Sequence, residues 1–542
     1  MILTQKKNIQ DIFFLAFILL STLIPRLGAI DNNAIRWFTV SIFSLAYLFN
    51  LIRLGRFKLI LLKDHITFTG LLLVYLLLSV FISKNNIEGF VTLYKIITLF
   101  VVYFVSYDIL RKNITFITIC VIFSISVLIE SLVILIQFFD SYEWIVGIAS
   151  NPNISSSSLV FKLPFVIFLI QKEKNKSYKL LLKTIEILSI IGIIILGSRL
   201  GFLSLFIIYF LYFLFYKKNR LAQVFSIIII IVVSFFINST RSINGKISYP
   251  RIETLTKDES TNQRLNFYKK ALNLSSEKPL FGYGLGSWKY ESLPYEENKN
   301  KDLLVPYYTH NDFLQIFFEL GFIGLVAYLV ILITLFKKII YTDAQFKGVL
   351  IITFVMFILN SLLNFPLHRS QEIIPFIIVV SIIFSLNNKG NDQRRKLSSF
   401  IIISAIIPVL VLSFLEHSSL KVQGKLFSDY NLNTYSFNKN EIDNINYFIP
   451  NLSANGVPIS TYISRYYFEN KEYDKSLTLL KSSLKSNYKD LMTQELLLKN
   501  YIFLGKNDDA VKLSRKLMAT YPDNSLYAEI YFSLISEQKS KD

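Results

Sequence analysis

The stretch NITFITICVIFSISVLIESLVILIQF, residues 113–138, decides the fold. An apolar run of about 18 residues or more is long enough to cross roughly 30 Å of hydrocarbon as a helix, and a helix satisfies its own backbone where water is absent. Runs of this kind recur along the chain. Thirteen candidate spans lie near 11–29, 35–52, 65–83, 89–110, 113–138, 157–171, 179–197, 200–216, 221–237, 312–336, 346–364, 373–387 and 398–415. The run at 157–171 is short. The pair 179–197 and 200–216 is split by Gly197-Ser198-Arg199, which leaves one long broken element as an alternative. The first run follows Lys6-Lys7 and continues past Pro25-Arg26 without a small-residue cleavage pattern, so it reads as a span and not as a signal peptide. The expected fold class is all-α: a polytopic membrane helix bundle of about 12–13 spans.

Composition agrees. Of the 542 residues, 53% are apolar and only 18% charged, with a mean hydropathy of +0.46, whereas soluble domains average roughly 25% charged residues. Disorder and a collagen-like fibre are excluded. The 57 basic and 38 acidic residues leave a net charge of +19, which in isolation suggests a nucleic-acid partner. Its distribution argues otherwise. With the N-terminus inside, the cytoplasmic segments hold 23 Lys and Arg, from Lys6 and Lys7 to Lys389, Arg394, Arg395 and Lys396. The short outer loops hold five: Arg26, Arg36, Lys84, Arg199 and Arg369. Basic residues are retained on the cytoplasmic side, so the excess is mainly a topology signal and no nucleic acid is expected. The single cysteine, Cys120, excludes an internal disulfide and a thiolate metal site.

This parity organises the chain into spans 1–9 (1–238), an extracytoplasmic loop (239–308), spans 10–13 (309–415) and an extracytoplasmic soluble tail (416–542). The tail has 16 basic and 15 acidic residues and is no polybasic arm. Within it, Lys471-Glu472-Tyr473-Asp474-Lys475-Ser476-Leu477 aligns with Gly505-Lys506-Asn507-Asp508-Asp509-Ala510-Val511 at an offset of 34 residues, the tetratricopeptide period. Lys471 replaces the expected small residue, and Tyr488 stands where the second copy has Pro522. Two copies fall short of the three or so needed for independent stability, so either a degenerate helix pair within 425–458 or packing on the membrane part is expected. The tail reads either as a cap for the membrane part or as a concave surface for an acceptor or partner.

Charged groups near the outer membrane surface cost free energy unless they serve something, and Arg26, Arg36, Lys95, Lys162, Arg199 and Arg369 all map to the outer half. Any one of them could snorkel to the headgroups. As a converging set they would suit a pyrophosphate, because Arg offers paired donors and stays charged. In the large loop, Leu265, Tyr268 and Leu272 recur at helical spacing with Thr261 as N-cap, suggesting a helix along the outer membrane surface. Gly282-x-Gly284-x-Gly286 permits close backbone approach to a ligand or a tight turn. Tyr308-Thr309-His310-Asn311-Asp312 then places an imidazole at the mouth of the tenth span, with Arg264 upstream and His368-Arg369 in the neighbouring outer loop.

The ordered set Asn151-Pro152-Asn153, Gly197-Ser198-Arg199-Leu200-Gly201, Arg264, Gly282-x-Gly284-x-Gly286 and His310-Asn311 followed by Glu319-x-Gly321 resembles the O-antigen ligase and polymerase superfamily over roughly 130–370. The resemblance implies a fold of the glycosyltransferase C type and a metal-independent, inverting transfer. The glycan would move from polyprenyl (undecaprenyl) pyrophosphate to an acceptor outside the cytoplasmic membrane of a bacterium, without a cofactor. It also implies that Arg199 and Arg264 hold the donor pyrophosphate and His310 activates the acceptor hydroxyl. Asn151, Asn153, Gly284, Asn311, His368 and Arg369, with Arg26, Arg36, Lys95 and Lys162, would line the substrate site. The long tail is similar to those of protein O-oligosaccharyltransferases, so lipid A-core, a protein and a growing glycan all stand as acceptors. The competing class is a transporter or flippase, but two similar halves of the inverted-repeat kind are not visible in the sequence.

Overall fold

The computed structural model describes residues 6–25, 31–53, 63–112, 115–140, 145–216, 228, 259–292, 307–387, 399–522 and 524–539. The first eight helices are α1 (Lys6–Ser21), α2 (Asn33–Arg53), α3 (Lys63–Ile82), α4 (Asn86–Lys112), α5 (Phe116–Phe139), α6 (Pro152–Lys172), α7 (Lys176–Leu196) and α8 (Arg199–Phe215). There follow α9 (Glu259–Glu277), the short α10 (Trp288–Glu291), α11 (Asp312–Ile340), α12 (Ala344–Leu363), α13 (Ser370–Asn387) and α14 (Ser399–Asn431). Among the described residues no strand forms beyond an isolated bridge between Leu452 and Pro458. Seven helices, α2, α4, α5, α6, α11, α12 and α13, are long and apolar enough to cross a membrane, and three shorter apolar helices cover Ile9–Ser21, Gly70–Ile82 and Arg199–Phe215. The chain is a polytopic all-helical membrane bundle. The expected span 221–237 lies outside the described residues apart from position 228.

Capping defines the short run and the split pair. The short run at 157–171 becomes the 21-residue α6, because Asn151 accepts hydrogen bonds from the amides of Asn153 and Ile154 and Pro152 occupies the first turn. Two of the polar residues at its start are paired inside the bundle: Ser155 Oγ donates to Val146 O at 2.7 Å and Ser157 Oγ to Asn360 Oδ1 at 3.0 Å. α6 is the central post, packed on α5, α7, α8 and α12. At the split pair, Gly197 ends α7 in the left-handed conformation and Ser198 caps α8 through the amide of Gly201, so two helices form in place of one broken element.

The three glycines of the large loop have a structural use. α11 is kinked at Gly321 (φ 62°, ψ −166°), which frees helix carbonyls and amides around it. The strap 279–284 takes them up. Phe322 N donates to Pro279 O (2.8 Å), Tyr283 N to Phe318 O (3.0 Å) and Gly284 N to Glu319 O (2.9 Å). Backbones this close leave no room for a Cβ. One at Gly282 would meet the backbone of Glu319, and one at Gly284 the backbone of Ser83.

The loop helix α9 lies against α11. It starts at Glu259, so Thr261 stands within its first turn and is not the N-cap the sequence suggested. Its buried face is Phe267 and Ala271, set on Phe318 and Trp288, while Leu265 and Leu272 are exposed.

After the membrane helices, α14 runs unbroken to Asn431. Then come α15 (Lys439–Asp443), α16 (Ile459–Glu469), α17 (Tyr473–Ser486), α18 (Leu491–Phe503), α19 (Asn507–Thr520) and α20 (Ser525–Lys539), each from α16 onward packed on the next. Of the two supports the sequence leads one to expect for the tail, packing on the membrane part is present. Within 425–458 the chain has the end of α14, the five-residue α15 and irregular segments. The tail rests on the membrane part through Glu291. Its carboxylate takes Lys84 at 3.1 Å, Lys489 at 3.1 Å and the Tyr488 hydroxyl at 2.8 Å. Beside it the Asn85 and Asn451 side chains exchange hydrogen bonds of 3.0 and 3.1 Å.

Candidate functional site

His310 stands just before α11 in the left-handed region, at φ 58°, an uncommon conformation for a residue with a Cβ. Its neighbours hold it there. The Thr309 hydroxyl donates to Asn311 O (2.6 Å) and accepts from Asn311 N (3.1 Å), while Thr309 N donates to Gln315 Oε1 (3.2 Å). Asn311 caps α11 by accepting from Leu314 N at 3.1 Å. From α9, the Tyr268 hydroxyl donates to His310 O at 2.9 Å. The imidazole meets the edge of Phe365, with ring centroids 4.8 Å apart, and its Nδ1 is buried with no hydrogen-bond partner among the described residues.

Burial, then the charges of Arg264 and Arg369, push the His310 imidazole down to about 3, so at neutral pH it is uncharged. Arg264, on α9, donates to Leu363 O at the end of α12 (3.3 Å). One turn earlier on α9, Thr261 Oγ1 lies 3.5 Å from Arg199 Nη1 at the start of α8. α9 thus draws Arg199 and Arg264 along one line toward His310.

Behind Phe365, Tyr308 stacks on both Phe365 and His368, at 4.5 and 4.6 Å. Arg369 lies over Tyr308 and Phe365 and pairs with Asp31 at 3.4 Å. His368 is also pushed down to about 3, by burial first and then by Lys95, Arg369 and Lys289. Lys95 pairs with Glu416 of α14 at 2.7 Å. On the far side of Tyr308 is a cavity of about 520 Å³ whose lining includes Lys95, Lys289, His368 and Arg369.

The remaining sequence candidates are placed elsewhere. Lys162 is fully buried between α5 and α6, where it pairs with Glu130 and donates to Ser126 and Ser158, so its charge is spent inside the bundle. Arg36 donates to the carbonyls of Ile24 and Ile148, at 2.8 Å each, and ties two loops together. Asn151 is a helix cap, Asn153 sits in the first turn it caps, and Gly284 is packed on Ser83. Arg26 lies outside the described residues. The sequence reading missed Lys289, which pairs with Glu88 at the start of α4. Its only signal was a basic residue directly after the Gly-rich strap. Among the described residues, no group of three or more His, Cys, Asp or Glu side chains could hold a metal ion.

Residues 185–329 match the family described as O-Antigen ligase. That stretch is similar to the O-antigen ligases. It contains Arg199, Arg264 and His310, the strap that precedes His310 and the kink that follows it. The chain is also 30% identical over 120 residues to "Putative polysaccharide ligase RC0486" of Rickettsia conorii, an alignment covering 21% of this chain and 29% of that protein.

Proposed function

We propose that this chain is a glycosyltransferase of the O-antigen ligase kind. It moves a glycan from polyprenyl pyrophosphate to an acceptor hydroxyl at the outer face of a bacterial cytoplasmic membrane, without a metal and with inversion. The observation that carries the reading is the line of Arg199 and Arg264 along α9 toward an uncharged His310 with an uncommitted Nδ1, all inside the stretch similar to O-antigen ligases.

In the proposed step the two guanidiniums bind the diphosphate and neutralise the charge that grows on it as the bond to the anomeric carbon breaks. The acceptor oxygen forms the new bond to that carbon from the opposite side. Its proton passes to the His310 imidazole and then to the departing diphosphate. In the free protein His310 is a weak base because burial and two guanidiniums oppose its charging. A bound diphosphate reverses that electrostatic cost, so base strength rises only when the donor is present. Lipid A-core, a protein or a growing glycan would each supply the hydroxyl. For the tail, the starts of α17 and α19 at Tyr473 and Asn507, and the left-handed turns at Lys471 and Gly505, are each 34 residues apart, which supports a tetratricopeptide-like stack.

The test is transfer by the purified full-length protein in liposomes, with a polyprenyl-pyrophosphate glycan and each acceptor class, in the presence of chelator. His310→Ala and Arg264→Ala should each lower the rate by about 10²–10⁴-fold. Retained activity in both variants, or a strict need for a divalent ion, would overturn the assignment.

A further inference from the structure

The His310 ring is aimed by its backbone. Its Nδ1 has no partner among the described residues, and the ring packs on Phe267 and Phe365. A left-handed residue with a Cβ persists only where its surroundings over-determine it, so whatever holds the turn 309–311 also directs the imidazole. The Thr309 hydroxyl closes this turn on itself through Asn311, but closure does not fix the turn in space. On its C-terminal side Asn311 ties it to α11 as the cap, and from α9 the Tyr268 hydroxyl holds the His310 carbonyl. On its N-terminal side the tie is a side chain, Gln315, whose Oε1 accepts from Thr309 N at 3.2 Å.

Gln315 is buried one turn into α11, and Glu319 lies four residues on, along the same face. Gln315 Nε2 donates to Glu319 Oε1 at 3.2 Å. The carboxylate of Glu319 is fixed in turn by the Gly-rich segment: Gly286 N donates to Oε2 at 2.9 Å, Trp288 N to Oε1 at 3.4 Å, and Gly284 N to the Glu319 carbonyl at 2.9 Å. The contacts run in series from the strap amides to the Glu319 carboxylate, the Gln315 amide, the Thr309 amide and the left-handed turn. Only an amide serves in the middle. It carries an acceptor and donors on one rigid plane, so once Glu319 holds the nitrogen the place of the oxygen follows. An apolar side chain at 315 would strip the buried Thr309 amide of its acceptor.

We propose that Gln315 is a positioning residue for His310, relaying the placement of the Gly-rich segment through Glu319 to the turn that aims the imidazole. Its effect on transfer rests on the reaction proposed above; its hold on the turn does not. Arg199 and Arg264 make their own contacts, with Thr261 and with the Leu363 carbonyl, so losing the relay leaves the donor's guanidiniums in place. The loss therefore falls on kcat and not on the donor KM. Misplacing a reacting group by about 1 Å costs about 10²-fold in rate.

The test uses the full-length protein in lipid nanodiscs, with hydrogen exchange at the Thr309 amide and transfer kinetics measured on the same samples. Gln315→Met keeps the length of the side chain and removes both of its hydrogen bonds. Thr309 should then exchange about tenfold faster, and kcat should fall about 10²-fold at an unchanged donor KM. Glu319→Gln, which turns a donor toward the strap amides or toward Gln315, should behave likewise. Gln315→Glu combined with Glu319→Gln exchanges the amide and the carboxylate: residue 315 still accepts from Thr309, residue 319 still accepts from Gly286 and now donates to 315, and only the 3.4 Å Trp288 contact is lost. This double variant should recover most of kcat and of the Thr309 protection, a rescue that a merely structural role does not produce. Should Gln315→Met fail to fold, Glu319→Gln and the exchanged pair carry the test. Native kcat in Gln315→Met, unchanged Thr309 exchange, or an exchanged pair no better than Glu319→Gln would overturn the proposal. Full activity in Gln315→Met beside an inactive His310→Ala would remove this proposal and leave the reaction standing. If the native chain transfers nothing, the reaction fails, and the exchange arm still decides whether Gln315 holds the turn.

Discussion

Lowering the pH should destabilise the protein through two histidines, His310 and His368. Both are pushed down to about 3 from an ordinary 6.5 by burial and by nearby cations. A depressed folded value means that the unfolded chain binds the proton more readily. The stability each neutral ring contributes is therefore fully present above pH 6.5 and is lost as the pH falls toward 3. At 1.36 kcal/mol per unit, the step from pH 7 to pH 5 costs about 2 kcal/mol for each ring, about 4 kcal/mol for both if they act independently. The assay is thermal melting of the full-length protein in nanodiscs at pH 7, 6 and 5. The native chain is compared with His310→Gln, His368→Gln and the double variant, so that carboxylate contributions cancel. The variants should lie lower at pH 7 but fall less steeply, and pyrophosphate should flatten the native slope by favouring charged His310. A double variant whose melting point falls as far as that of the native chain would refute the reasoning.

Four further outcomes follow from the packing and the backbone. Glu291→Ala removes the carboxylate shared by Lys84, Lys489 and Tyr488; the tail's attachment should weaken by about 2–4 kcal/mol, seen as faster hydrogen exchange around residues 84–85 and 486–489. Gly284→Ala forces a Cβ into the Ser83 backbone at φ +98° and should cost about 3 kcal/mol or more. Gly70→Ala, with nothing within 4 Å in the interior of α3, should stabilise by about 0.5–1 kcal/mol on the same melting assay. Lys471→Gly relieves a left-handed lysine at φ 62° and should raise stability by about 1 kcal/mol, read as a higher melting point of the tail.

The apolar runs were legible because length and hydropathy are local properties. What each charged residue touches is not local. Lys162 reads like Lys95 in the sequence, yet it faces Glu130 because of how α5 is rotated against α6, whereas Lys95 turns to Glu416 on a helix more than three hundred residues away. The Gly-rich strap was visible as three permissive positions, but its partner, the kink at Gly321, is defined only once α11 exists. Arg199, Arg264, His310 and Arg369 could be picked out as polar groups at apolar boundaries. That α9 draws the first two along one line follows from the burial of Phe267 and Ala271, a face set by the aromatic floor of Phe318 and Trp288 and not by the Leu265–Leu272 spacing. Tyr488 is the instructive case: it departs from the repeat pattern, and it is one of the residues by which the tail docks.

α14 continues without a break from the membrane to Asn431, and it carries both Glu416, the partner of Lys95, and Gln423 in the cavity lining. At about 1.5 Å per residue its 33 residues form a mast of about 50 Å. Glu416 stands near the middle of that mast, so a tilt driven from the tail's far helices would reach Lys95. Cargo seated on the tail would be felt within the bilayer as leverage.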